Sequence, residues 1–169
     1  MAAENIPDPA WKQSLLDEVG ESLNLCFQCG TCTSSCPSGR NTAFRTRQVI
    51  RLAQFGLKDP ILSSDDLWQC TTCFTCYERC PRGVKIVEII LLLRNRAVEE
   101  GFLSKDHARL IRQLNKAGHL VPITDAVKKR RKALGLPEVP PTVLVDEEAL
   151  KQVQYIMEKT GLVRLVEGE

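Results

Sequence analysis

The sequence predicts a mainly α-helical protein with no sheet of any size. Apolar residues recur at three- and four-residue steps along most of the chain. Asp, Ser or Thr precedes several of these runs, and Gly closes nearly all of them. No run alternates long enough to read as a strand. At 169 residues and 18.9 kDa the chain is the size of one ordinary domain or two very small ones.

The elements follow in order. Asp8 before Pro9 reads as an N-cap and a first helical residue, and Trp11, Leu15 and Val19 then share one face up to Gly20. Residues 42–55 predict a second helix with Phe44, Val49, Leu52 and Phe55 near one side and Gly56 as its C-cap. Ser64, Asp65 and Asp66 cap a short turn carrying Leu67 and Trp68. Residues 84–100 predict a longer helix ending at Gly101. Ser104 then caps a helix with Leu110, Ile111, Leu114 and Ala117 on its face, closed by Gly118. Thr124 caps another through Leu134, closed by Gly135. Residues 136–143 hold three prolines and read as an extended connector. Asp146 caps a last helix with Leu150, Val153, Ile156 and Met157 inward, ending at Gly161.

Composition excludes several function classes. Hydrophobic residues make up 43% and charged residues 26%, which suggests neither disorder nor a membrane protein. The longest apolar stretch, residues 86–93, is far shorter than the roughly 20 residues that cross a bilayer. Residues 1–20 lack the charged start and apolar run of a signal peptide, so a cytoplasmic location is expected. The net charge of +2 is spread evenly, with 11 basic and 12 acidic residues up to position 100 and 12 and 9 beyond it. That balance argues against nucleic acid as a partner. No G-x-G-x-x-G and no Walker A sequence is present, so no nucleotide-binding fold is expected.

Cysteine is the outlier. All eight lie between positions 26 and 80, as Cys26, Cys29, Cys32 and Cys36 and again as Cys70, Cys73, Cys76 and Cys80, displaced by 44 residues. Thr31 maps onto Thr75, Pro37 onto Pro81 and Gly39 onto Gly83, so both copies read C-x-x-C-x-T-C-x-x-x-C-P-x-G. In a reducing compartment such a set holds metal rather than disulfides. Two residues between successive cysteines let one loop wrap three corners of a [4Fe–4S] cube, and the fourth corner must come from elsewhere. In two-cluster ferredoxins the last cysteine of each run ligates the other cluster. Applied here, one cluster is held by Cys26, Cys29, Cys32 and Cys80, and the second by Cys70, Cys73, Cys76 and Cys36. A four-cysteine zinc site, usually built from two separated knuckles, is the competing reading and would make the chain a zinc-stabilised interaction protein.

The proline after each fourth cysteine fixes a turn, and Gly39 and Gly83 allow backbone amides to approach sulfur. Arg40, Arg45, Arg79, Arg82 and Lys85 are candidates to offset cluster charge, against a plain reading as solvated surface. Trp68 reads as a shield against water or as plain core. His107 and His119 read as ordinary residues, and the basic run 128–132 as a solvated helix face. With all eight cysteines assigned to clusters, no substrate-converting site is expected on this chain.

The motifs CFQCGTCTSSCP and CTTCFTCYERCPRGV, separated by TAFRTRQVIRLAQFGL and a DDLWQC lead-in, resemble the α-helical dicluster ferredoxins and, within them, the C subunit of heterodisulfide reductase. The resemblance covers most of residues 15–120. It implies an electron-relay subunit of a methanogen complex that reduces the coenzyme M–coenzyme B heterodisulfide. The relay would run from a flavin-bearing, iron–sulfur partner (the A subunit of the complex) to a catalytic partner with noncubane clusters (the B subunit). A [NiFe]-hydrogenase or formate dehydrogenase would feed the flavin, which bifurcates electrons. Related subunits serve sulfur-, lactate- and glycolate-linked complexes, and that alternative stays open. The catalytic site of the family uses adjacent-cysteine motifs, which this chain lacks. The expected organisation is a helical dicluster domain at 1–103 and a helical, partner-docking extension at 104–169.

Overall fold

The computed structural model describes residues 6–167, so the first five positions of the expected 1–103 domain and the last two of the 104–169 extension lie outside the described residues. The described residues contain helices and no strand, as expected. They fall into two compact units that divide between Phe102 and Leu103.

In the first unit α1 (Pro9–Val19) starts as the sequence indicates, with the Asp8 carboxylate accepting from the Trp11 amide at 2.8 Å. It buries Trp11, Leu15, Leu16 and Val19. After a 3-10 turn at Glu21–Leu25 come α2 (Thr31–Ser35), α3 (Thr46–Gln54) and α4 (Lys58–Leu62). A further 3-10 turn at Asp65–Gln69, capped by Ser64, leads into α5 (Thr75–Glu78) and the long α6 (Ile86–Glu99). α6 is the spine of the unit and buries Ile86, Val87, Ile89, Ile90, Leu93 and Ala97 against α1, α3, α4 and α5. Each fully buried Ile or Leu there contributes about 1.5–3 kcal/mol.

The second helix departs from its sequence reading. It begins at Thr46 rather than Thr42, and its buried side is Thr46, Ile50 and Ala53. Phe44 is buried in the turn before it. Phe55 is half exposed, with the Arg51 guanidinium 4.4 Å from its ring centroid. Helical spacing alone does not separate two overlapping apolar stripes: Ile50 and Ala53 are fully buried, while Val49 and Leu52 pack partly buried against the same core. Gly56 closes the helix where expected, lying against the Asp8 backbone, which donates to the Gly56 carbonyl at 2.9 Å.

The second unit holds α7 (Lys105–Ala117), α8 (Asp125–Ala133), α9 (Glu147–Lys159) and a short α10 (Arg164–Glu167) that the sequence does not announce. Thr124 and Asp146 cap as predicted, and Gly118 ends α7 in the left-handed conformation. Ser104 precedes α7 but makes no side-chain cap. The inward faces follow expectation in part. Met157 is buried and Ile111, Leu114, Ala117, Leu150 and Val153 are half-buried, whereas Leu110 and Ile156 are exposed and Ala108 and Val166 are buried in addition. The stripes are thus only partly covered within this unit. Among the described residues, no helix is long and apolar enough to cross a membrane.

Candidate metal centres

The two cysteine loops have matching backbones. Gln28 and Gly30 take positive φ values of 64° and 83°, and Thr72 and Phe74, displaced by the same 44 residues, take 51° and 61°. A left-handed residue between each pair of cysteines keeps the loop turning around one centre instead of running straight. Three of the four are not glycine, and such conformations persist only where the surroundings hold them. α2 and α5 then begin at Thr31 and Thr75, pack on each other, and bury Cys32 and Cys76. Cys36 is buried too, Cys26, Cys70 and Cys80 are half-buried, and Cys29 and Cys73 are exposed.

Each loop is clamped by the helix that follows a fourth cysteine. Gln54 at the end of α3 donates to the carbonyls of Leu23 (3.0 Å) and Cys26 (2.8 Å). Arg94 on α6 donates to Leu67 (3.0 Å) and Cys70 (2.6 Å), the same two places in the second repeat. The motifs are also tied to each other. The Ser38 hydroxyl, just past Cys36, donates to the carbonyl of Gln69 at 2.6 Å, one residue before Cys70. The Lys85 amide, past Cys80, meets the Ser22 hydroxyl at 3.4 Å in the lead-in to Cys26. Arg79, at the end of α5, reaches the Ser35 hydroxyl of α2 at 3.4 Å. So the segment after each fourth cysteine lies beside the opposite motif.

The consequence is a pocket lined by Cys36 of the first motif together with Cys70, Cys73 and Cys76 of the second. Phe44, Val87 and Ile90 supply apolar wall, and Thr46 lines it as well. The Thr46 hydroxyl is buried, with no hydrogen-bond partner among the described residues.

Hydrogen-bond donors converge on the sulfurs. The amide of Gly39 donates to Cys36 Sγ and that of Val84 to Cys80 Sγ, both at 3.3 Å. The Gln28 side-chain amide donates to Cys26 Sγ at 3.4 Å. The Thr31 hydroxyl lies 3.3 Å from Cys29 Sγ and the Thr75 hydroxyl 3.4 Å from Cys73 Sγ. These hydroxyls hold the Cys29 and Cys73 thiols below the ordinary thiol value. Burial pushes Cys32 and Cys70 up, and Cys76 up to about 12. A buried thiol that resists ionisation becomes a thiolate only beside a strong positive charge, which a metal supplies. Four cysteines lining one pocket, an amide donor on Cys36 Sγ and an orphaned hydroxyl in the wall fit an iron–sulfur cube.

Of the basic residues read from the sequence, Arg45 serves the backbone, bonding the carbonyls of Gly39, Thr42 and Phe44. The cation that binds a cysteine carbonyl is Arg94, which the sequence does not single out; it also stacks on Trp68, 5.6 Å from the ring centroid. Its only signal in the sequence is a positive charge ending the longest apolar run. Gln54 and Thr46 carry no signal at all.

The 4Fe-4S dicluster domain family matches residues 22–84, the span of both motifs. Together with the eight cysteines, this gives the chain two [4Fe–4S] clusters. The chain is 50% identical over 159 residues to the C subunit of the H(2):CoB-CoM heterodisulfide,ferredoxin reductase of Methanothermobacter marburgensis, covering 94% of this chain and 86% of that one. It is 50% identical over 145 residues to the iron-sulfur C subunit of the CoB–CoM heterodisulfide reductase of Methanopyrus kandleri, covering 86% and 76%. Against the C subunit of the ferredoxin:CoB-CoM heterodisulfide reductase of Methanosarcina mazei it is 44% identical over 143 residues, covering 85% and 88%.

Proposed function

Because the chain belongs to the family of heterodisulfide reductase C subunits, we propose that it is the electron-relay component of a cytoplasmic complex that reduces the coenzyme M–coenzyme B heterodisulfide. The observation that carries this reading is the pocket in which Cys36 joins Cys70, Cys73 and Cys76. A ligand set drawn from both motifs places two clusters side by side, which is what single-electron transfer across a protein needs. When bound, the clusters take up and release single electrons.

The chain's own residues do the holding. Cys70, Cys73, Cys76 and Cys36 supply the thiolates of one cluster, and Cys26, Cys29, Cys32 and Cys80 those of the other. The ties from Ser38 to Gln69 and from Lys85 to Ser22 support this crossing. Gln54 and Arg94 hold the loops from behind, while Phe44, Val87 and Ile90 keep water from one side of a pocket. Exposed Cys29 and Cys73, near exposed Phe27 and Phe74, mark the edges nearest to partners. The partners are a flavin-bearing iron–sulfur protein and a catalytic protein with noncubane clusters, fed by hydrogen or formate oxidation.

Anoxic affinity purification from native cells tests the reading. The chain should carry eight iron atoms and labile sulfide and co-isolate a flavoprotein and a protein with adjacent-cysteine motifs. The complex should reduce the heterodisulfide, and the chain alone should bind no flavin and reduce none. Zinc without labile sulfide, or turnover by the isolated chain, would contradict it.

A further inference from the structure

The two halves repeat in sequence but differ electrically. α3 and α6 occupy corresponding places after the two fourth cysteines, and eight residues past the first residue of each stands the side chain that clamps a cysteine loop. In the first half this is Gln54, a neutral amide, holding the carbonyls of Leu23 and Cys26. In the second it is Arg94, a half-buried cation, holding those of Leu67 and Cys70. The first residues of the two helices differ in the same sense. Ile86 opens α6 without a polar group. Thr46 opens α3, and its buried, unpartnered hydroxyl lines the pocket of Cys36, Cys70, Cys73 and Cys76.

Both differences favour negative charge in the second-motif pocket. A cluster gains a negative charge on reduction, so a fixed cation and a donor without another acceptor stabilise the reduced form more than the oxidised one. A buried hydroxyl with no partner is costly, and a cluster sulfur in that pocket removes the cost. We propose that Arg94 and Thr46 make the second-motif pocket the more electron-accepting of the two, so that its cluster is reduced first. This rests on the two-cluster reading above and adds a direction to it: electrons settle toward the second motif. Arg94 and Thr46 are then potential-setting residues and ligate nothing.

The test is an electron-paramagnetic-resonance redox titration of the full, anoxically loaded chain. The second-motif cluster is identified as the one whose signal Cys73→Ser alters. That cluster should have the higher midpoint. Thr46→Val should lower its reduced-to-oxidised ratio at fixed potential, by at most about tenfold, the weight of one hydrogen bond to a charged group made in the reduced form alone, or 59 mV for a one-electron couple. Thr46→Ser should stay near wild type, and an exchangeable proton coupling seen in both should vanish in Thr46→Val. Arg94→Gln, which installs the first half's residue, should shift the same cluster in the same direction, and Arg94→Lys should restore most of it. A second-motif cluster of lower midpoint, or fully loaded Thr46→Val and Arg94→Gln chains with unshifted midpoints, would overturn the proposal. The crossing of ligands is read separately from Cys36→Ser, so failure of either idea leaves the other visible.

Discussion

At the residue scale, the two loops place different amino acids in one conformation, and this gives paired expectations of opposite sign. Gly30 and Phe74 hold corresponding left-handed positions, with φ 83° and 61°. A Cβ at Gly30 would meet only Arg47 Cδ, at 3.9 Å, so Gly30→Ala adds backbone strain and little else. It should cost about 1–2 kcal/mol with both clusters retained, whereas Phe74→Gly should gain less than that, because Gly adds about 0.5–1 kcal/mol of chain entropy to the unfolded state and the lost side chain lines the pocket of Cys73. Denaturant unfolding of the anoxic loaded chain measures both. Gly39 is a different case. A Cβ there would lie 2.9 Å from the Phe44 carbonyl oxygen and 3.7 Å from Cys36 Sγ, and the Gly39 amide donates to that sulfur. Gly39→Ala should therefore alter the spectrum of the cluster that includes Cys36 and leave the other unchanged. The cysteines and Gly39 are legible in the sequence because their spacing is local. Thr46, Gln54 and Arg94 are not, since which helical residue meets a loop is decided by how the two repeats fold against each other.

At the element scale, α6 is legible because one broad stripe of large apolar residues has a single way to be buried. Leu93, fully buried at its centre, should cost about 2–5 kcal/mol when changed to Ala, as read by denaturant unfolding. α3 is less so, since Phe44, Val49, Leu52 and Phe55 offer a stripe competing with Ile50 and Ala53. The C-terminal helices show the limit of periodicity more clearly. Asp146, Thr124 and Gly118 mark their ends because capping is local. Leu110 and Ile156 lie on expected inner faces and are exposed, because spacing cannot say whether a partner face exists within the chain. Val121, Leu134, Val145 and Tyr155 are also at least 60% exposed. Deleting residues 140–169 should leave both clusters spectroscopically intact and weaken co-purification with the partner proteins. Loss of the clusters with partner binding preserved would place these helices in the structural core instead.

At the scale of the whole molecule, the proposed relay turns on one feature, the proposed exchange of fourth cysteines between two repeats. The sequence carries the repeat, and the number and type of sulfur ligands follow from it. How the repeats face each other lies in non-local ties, among them Ser38 to Gln69, Lys85 to Ser22 and Arg79 to Ser35, which no spacing encodes. Those ties bring the chain after Cys36 to the second motif and the chain after Cys80 to the first, so removing a fourth ligand should be felt across the repeat. The most direct measurement is cluster-resolved electron paramagnetic resonance of Cys36→Ser and Cys80→Ser, with the two clusters assigned through Cys29→Ser and Cys73→Ser. Cys36→Ser should change the cluster that Cys73→Ser changes, and Cys80→Ser the one that Cys29→Ser changes. If each fourth cysteine instead affects the cluster of its own motif, the crossed arrangement is wrong.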